Sequence, residues 1–325
     1  MKKQISIAAV VVLFALGIAL LLFRRSPQDS RPVNIGYLPI YVDLPLFVAK
    51  DQGFFDKRGV KVELKRFASS PEIGTALVSG DVQVGASIAY SVVLSIESRD
   101  PGKLKVFIVD SETPENYLSS FVALPNSGIK TVADLKGKKL ASFPGPTAVT
   151  FCKMVLEKFG LNPSTDLQIV ELEVGSHLSA LESKTVDALF TYEPTATQAV
   201  LEKGAVKILP GAVESQIINP WQAGVWVVAD EFAKRNSGDS RKVMLALYDA
   251  IDFIRANPAA AKNALTNYTS IKPSVAQATP NIPFAKIGEV DMSAFQKHAD
   301  ILHERGIISK RIEAAGLLIA PDRVR

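Results

Sequence analysis

The stretch FPGPTAVTF, residues 143–151, sets two prolines and a glycine between an apolar strand-like run and a helix-like run, with no charge at the junction. Pro146, with a fixed φ and no N–H, suits the first position of a helix running to about Phe159, with Gly145 at its cap. The first-turn N–H groups of such a helix, those of Thr147 and Ala148 among them, have no intrahelical acceptor and share a positive charge of about half a unit. They can hold an acceptor atom of a ligand without a charged side chain. Ser69 and Ser70 before one helix-like run, and Gly175, Ser176 and His177 before another, offer starts of the same kind. The plain alternative at each is ordinary helix capping.

Aromatic residues stand beside the same loops: Tyr41 after the first strand-like run, Phe67 after the second, Tyr90 after the third, then Phe143, Tyr192 and Trp221. Ligands of open α/β sheets lie at strand ends, where such rings can sandwich a flat molecule or simply pack a rim. Asp43 and Glu193 are the acids of these loops, and no lysine or arginine stands directly within them. That pattern favours a neutral or cationic ligand. Glu193 precedes Pro194, so binding and helix capping both remain open for it.

This is the chemistry of holding a molecule, and the residues of bond-making are scarce. The single cysteine, Cys152, excludes an intrachain disulfide and any multi-cysteine metal site. Three histidines, His177, His298 and His303, occur without an H-E-x-x-H pattern, so no zinc enzyme, metal or cofactor is implied. Residues 1–31 take five of the 37 basic residues and one of the 33 acidic ones, leaving 32 of each in the body. A balanced body without a basic, aromatic-interleaved stripe lacks the footprint of a nucleic-acid binder.

The elements that must position these groups follow from hydrophobic period and breakers. Residues 5–23 carry no charge between Lys3 and Arg24; nineteen helical residues at about 1.5 Å each nearly match a bilayer's apolar core. Without a small-x-small triplet after it, the run reads as an uncleaved signal anchor in preference to a cleaved signal, with a polar tether at 26–32. The body is expected outside the cytoplasmic membrane. From Val33, short β-like runs alternate with helix-like runs, which argues an α/β sheet covered by helices. Ser70 is expected to cap one of these helices, with Pro71 at its first position.

The order strand, serine-capped helix, turn, short strand in VKVELKRFASSPEIGTALVSGDVQVGAS returns in LQIVELEVGSHLSALESKTVDALFT. Two similar α/β lobes follow. The expected division is 1–31 anchor and tether, 32–117 first lobe, 118–218 second lobe with a crossover, and 219–325 return to the first lobe plus a tail. After Asp239 the pattern is helical, with no strand-like run of useful length.

The runs IGYLPIYVDLPLFVAKDQGFFDKRGVKVEL, LVSGDVQVGAS, TVADLKGKKLASFPG and VDALFTYEPTATQAV, taken in order, resemble extracytoplasmic solute-binding proteins of ABC importers. The branch is the one that includes nitrate, taurine, aliphatic-sulfonate and thiamine-pyrimidine-precursor binders. The resemblance covers residues 33–256 and implies a type II periplasmic-binding-protein fold. In that fold two α/β lobes are joined by two crossover strands, and a helical tail packs on the first lobe. It also implies permease and ATPase partners and a monomeric binding subunit. By motif the binding positions carry over to Leu38, Tyr41 and Asp43, to Ser69 and Ser70, and to Ser87 through Tyr90. They continue with Gly145, Thr147 and Ala148, Ser176, Tyr192 and Glu193, and by position after the crossover with Trp221.

An acid in YEP beside aromatic loops resembles the pyrimidine-precursor binders more than the sulfonate binders. A related eukaryotic pyrimidine synthase shares the fold but consumes its own histidine and uses a cysteine-rich segment. Here the matching loop YLPIYVDLPLFVAK holds no histidine and the chain has one cysteine, so binding is expected and catalysis is not. The alternatives are a binder of a sulfonate, taurine or nitrate and, in another class, a pyrimidine-synthase-like enzyme or a membrane-tethered ligand sensor.

Overall fold

The computed structural model describes residues 31–324. The anchor expected at 5–23 lies outside the described residues, among which no helix is long and apolar enough to cross a membrane.

In chain order the first elements are β1 Val33–Tyr37, α1 Leu44–Asp51, α2 Phe54–Lys57, β2 Val62–Arg66, α3 Ser70–Ser79, β3 Val84–Ala89, α4 Tyr90–Arg99 and β4 Leu104–Asp110. A second set follows: β5 Ser119–Ala123, β6 Lys139–Ser142, α5 Pro146–Lys158, β7 Gln168–Glu171, α6 Val174–Glu182, β8 Ala188–Tyr192, α7 Thr195–Lys203, β9 Val206–Pro210 and α8 Ala212–Gln216. The chain then returns through β10 Gly224–Ala229, α9 Asp230–Arg235 and α10 Ser237–Ala256. It ends with α11 Pro258–Ala261, α12 Leu265–Tyr268, α13 Pro273–Ala278, β11 Phe284–Lys286 and α14 Met292–Glu304.

Six strands form one sheet in the order β11-β4-β10-β3-β1-β2, and five form another in the order β7-β6-β8-β5-β9. Composition explains who is central. Every residue of β5 is buried, as are all but the last of β3 and β10, whereas the edge strand β2, VELKR, has no fully buried residue. Strands covered on both faces need near-continuous apolar runs; edges tolerate charge.

Alternation assigns the two faces of the second sheet. Phe121, Ala123, Leu140, Ala188 and Phe190 belong to the core that also holds Phe151 of α5 and Val213 of α8. Val122, Ala141 and Leu189, each one residue out of step, pack instead with Ala180 and Leu181 of α6 and Ala196 and Ala199 of α7. A period of two sends neighbours to opposite faces, so α5 and α8 cover one side and α6 and α7 the other.

The chain passes between sheets twice, through residues 111–118 and 211–223. The two passages pair with each other: Glu112 N–H donates to Trp221 O at 2.9 Å and Trp221 N–H to Glu112 O at 2.8 Å. Leu118 proves to lie in this passage, just ahead of β5.

Local expectations met three adjustments. The cap before α3 is Ser69, and no side chain makes a capping bond there; Ser70 Oγ instead accepts the Ala89 N–H at 3.1 Å. The helix expected after Gly175 starts earlier, at Val174. The tail contains a short strand: β11 pairs antiparallel with β4, a three-residue edge that no periodicity could reveal. Most of the tail covers the first sheet, with α10 against α1 and α2.

Candidate ligand-binding site

The strand ends of the first sheet gather buried carboxylates. Asp110 closes β4; its Oδ2 accepts the Ser87 hydroxyl at 2.5 Å and its Oδ1 the Trp226 Nε1–H at 3.2 Å. The bond to Ser87 spans Gly224, where a β-carbon would lie 2.2 Å from Asp110 Oδ2 and 2.5 Å from Ser87 Oγ. Ser87 holds φ at +24°, a conformation side-chain-bearing residues seldom adopt, at an irregularity of the β3–β10 pairing. Burial pushes the Asp110 carboxyl up to about 7, against the downward pull of its two donors.

Two more carboxylates have oxygens to spare. Asp43 is buried, with Oδ2 accepting the Leu38 N–H at 2.8 Å and Oδ1 without a partner among the described residues. Burial drives its carboxyl well up; the Leu38 bond opposes this and the charge of Asp110 adds to it. Glu112, on the first passage between sheets, is buried with Oε2 near the Ala223 N–H at 3.4 Å and Oε1 unpartnered among the described residues. Burial, then Asp110, then Glu214, push it well up. A buried carboxylate oxygen with no donor costs a desolvation penalty of about 1–3 kcal/mol or more, so each group is either protonated or suited to a donor from outside the chain.

Glu214 is saturated in contrast. It accepts from the Leu118 and Ser119 N–H groups at 2.7 and 3.0 Å and from the Ser119 hydroxyl at 2.5 Å. It ties α8 to the start of β5.

Both carboxylate oxygens of Glu193 have partners within the chain. One oxygen accepts the Thr197 N–H in the first turn of α7 at 3.0 Å, and the other meets Lys207 Nζ at 2.5 Å. Lys207, on β9, also donates to Tyr117 Oη at 3.1 Å and Thr197 Oγ1 at 3.0 Å. A lysine therefore does reach these loops, from the strand that follows α7. Tyr41 of the first sheet's loop is buried close enough that, after burial, the Glu193 charge pushes its phenol up.

The aromatic residues divide. Tyr192 stacks on Phe143 at 5.1 Å and stands edge-on to Trp221 at 5.7 Å, bringing three expected rings together. Phe67 packs on Gly36 at the end of β1. Tyr90 turns toward the tail, its ring stacked on Phe295 at 4.3 Å and edge-on to His298 at 5.3 Å.

Of the helix starts, Gly145 sits at φ +105° as the cap of α5, and Pro146 opens the helix as expected. The Gly145 N–H donates to Glu171 at 2.8 Å, while Thr147 and Ala148 fall in the first turn. Ser69 Oγ bonds Glu72 at 3.0 Å. Ser176 is exposed. His177 lies inside the second body, its Nδ1 2.9 Å from Thr191 Oγ1 and its Nε2 2.9 Å from the Leu172 carbonyl. A carbonyl only accepts, so Nε2 carries the proton; burial lowers the ring's basicity.

The arrangement thus joins Tyr41, Asp43, Ser87, Phe143, Tyr192, Glu193 and Trp221 around the passages between sheets, with His177 and Ser176 set apart. Sequence reading missed Asp110, Glu112, Gly224 and Lys207. The signal for the first two was an acid ending the apolar run VFIV, with another two residues on. Two surface depressions, of about 270 Å³ beside Asp51 and Phe253 and about 570 Å³ along α14, touch none of these groups. Among the described residues, no group of three or more His, Cys, Asp or Glu could hold a metal ion.

Residues 42–261 match the family described as NMT1/THI5 like, more than half of the chain. The taurine-binding periplasmic protein of Escherichia coli (strain K12) is 26% identical over 211 residues, 64% of this chain and 62% of that protein. A protein of Haemophilus influenzae, provisionally named a thiamine biosynthesis protein, is 26% identical over 285 residues, 82% of this chain and 84% of its own. Among solved structures, the periplasmic aliphatic sulphonate binding protein of Escherichia coli superposes with a TM-score of 0.74 at 22% identity, covering 91% of this chain and 93% of that one. At that identity the likeness establishes the two-lobed fold of periplasmic binding proteins.

Proposed function

Because the chain belongs to the NMT1/THI5-like family, we propose that it is the extracytoplasmic solute-binding component of an ABC importer, holding a small organic solute between its two sheets. The solute presents a cationic or N–H-donating nitrogen, as a nitrogen heteroaromatic such as a thiamine pyrimidine precursor does. One observation carries this choice: Asp43 Oδ1 and Glu112 Oε1 are buried, unpartnered acceptors beside a third carboxylate, Asp110. A donor nitrogen would satisfy either oxygen and favour its ionised form, whereas nitrate or a simple sulfonate brings no donor to them.

Taurine, named for one relative, carries both a sulfonate and an ammonium, and is the second reading. The first-turn N–H groups of α5 favour it as acceptors' partners, since they need no lysine or arginine. Calorimetry with an aminopyrimidine, taurine, ethanesulfonate and nitrate tests both. The proposal expects binding of one of the first two and none of the last two; tight binding of ethanesulfonate or nitrate overturns it.

Binding in preference to catalysis is supported by the state of the reactive groups. Cys152 is buried with its thiol pushed up by that burial, and His177 and His298 each hold a backbone carbonyl. Transport reconstituted with a permease and ATPase, against no transport for a tethered sensor, separates the remaining roles.

A further inference from the structure

The C-terminal tail meets the second sheet's body on both faces, and the two joints differ in kind. On the side of α5 and α8, Phe151 stands edge-on to His298 at 5.1 Å and lies 5.3 Å from Trp221; all three are buried, and Phe151 and Trp221 belong to the core that runs through both bodies. The paired passages at Glu112 and Trp221 run beside this joint. On the opposite side, the core beneath α6 and α7 is a separate cluster. There α7 meets α13, and Glu202 pairs with Lys272 at 2.7 Å, with side chains 25% and 65% exposed. Gln198 donates to the other Glu202 oxygen at 3.1 Å, and the lysine and glutamine bonds hold this carboxyl below its usual range.

Parting a buried aromatic joint exposes apolar surface, whereas parting an exposed ion pair returns two ions to water at little cost. A rotation of one body against the other therefore pivots on Phe151, Trp221 and His298 and opens between α7 and α13. We propose that Lys272 is a positioning residue for solute binding: its pair with Glu202 latches the two bodies closed and slows solute release. The proposal rests on the reading that solute lies between the sheets, yet the latch itself is measurable without any solute. A second ion pair, Arg305 with Glu157 at 3.0 Å, lies on the pivot side and serves as a control.

The test places nitroxides on the full chain at Leu201→Cys and Ser274→Cys, both exposed, one on α7 and one on α13, with Cys152 buried and unreactive. Pulsed dipolar spectroscopy then reads the α7–α13 distance in the empty protein. Lys272→Glu is expected to move the open-to-closed ratio about two- to fivefold toward longer distances, the scale of an exposed ion pair. High salt acts the same way on the wild type, the exchange Lys272→Glu with Glu202→Lys restores the short distance, and Arg305→Ala leaves it unchanged. Identical distributions for wild type and Lys272→Glu, or no recovery on exchange, overturn the latch. For whichever of taurine or an aminopyrimidine binds, the dissociation rate rises by the same factor in Lys272→Glu while the association rate holds. Binding of neither overturns the functional reading, and the solute-free distances still decide the latch.

Discussion

Ser87 and Asp110, 23 residues apart in sequence, share a 2.5 Å hydrogen bond over the bare α-carbon of Gly224. The bond exists because β10, entering from the second passage, slots antiparallel between β3 and β4 and begins with the one residue that leaves room. Gly224→Ala puts a methyl group 2.2 Å from Asp110 Oδ2, far inside contact distance. The expected result is a loss of about 1–3 kcal/mol in chemical denaturation, typical of overpacking. A neutral outcome would mean that the bond breaks freely and does not organise this corner.

Asp110 also sets a pH dependence. An acid whose folded pKa is raised, here to about 7 from 3.8, leaves the native state with more bound protons than the unfolded chain between those values. Stability from this group is present at acid pH and is lost as pH rises through about 7. Asp110→Asn removes this group's share of the titration and its push on Asp43 and Glu112, so the wild type should lose stability relative to the variant from pH 5 to pH 8. Parallel curves for the two proteins across that interval would refute the assignment.

Asp43→Asn and Glu112→Gln remove the two acids with spare oxygens while nearly keeping shape. Losing one partner of a buried charged hydrogen bond costs about 2–5 kcal/mol of binding, so affinity for an amine-bearing solute should fall at least about tenfold. The melting temperature of the empty protein should hold or rise, because each variant removes a buried ionisable group. Unchanged affinity in both variants would place the solute elsewhere.

Glu193→Gln is expected to behave differently. Its oxygens serve Thr197 and Lys207, so the variant leaves a largely buried ammonium poorly paired and should be destabilised by about 3 kcal/mol or more. Adding Lys207→Met should recover much of that loss in thermal melts. Direct contact with solute predicts the opposite pattern, a stable variant with at least tenfold weaker binding.

Deletion of residues 1–31 should leave a body that is recovered without detergent and is indifferent to a chelator, given 32 charges of each sign and no clustered metal ligands among the described residues. Recovery in detergent alone, or unfolding on chelation, counts against this.

What the sequence determined by itself is what neighbours along the chain decide. Apolar runs of five or six residues make strands, and Gly145 followed by Pro146 starts a helix where its stereochemistry allows nothing longer upstream. These preferences act over one turn or one pleat, and they set two α/β bodies and the loops at their strand ends. Tertiary structure decided which groups in those loops face one another. Lys207 reaches Glu193 only because β9 pairs beside β5, and β5 beside β8. Trp226 meets Asp110 across 116 residues because β10 inserts beside β4. Tyr90, at the end of β3, stacks on Phe295 because the tail helix α14 packs there. Strand order and tail docking are sums of many weak contacts between segments far apart in the chain, and no local pattern records them.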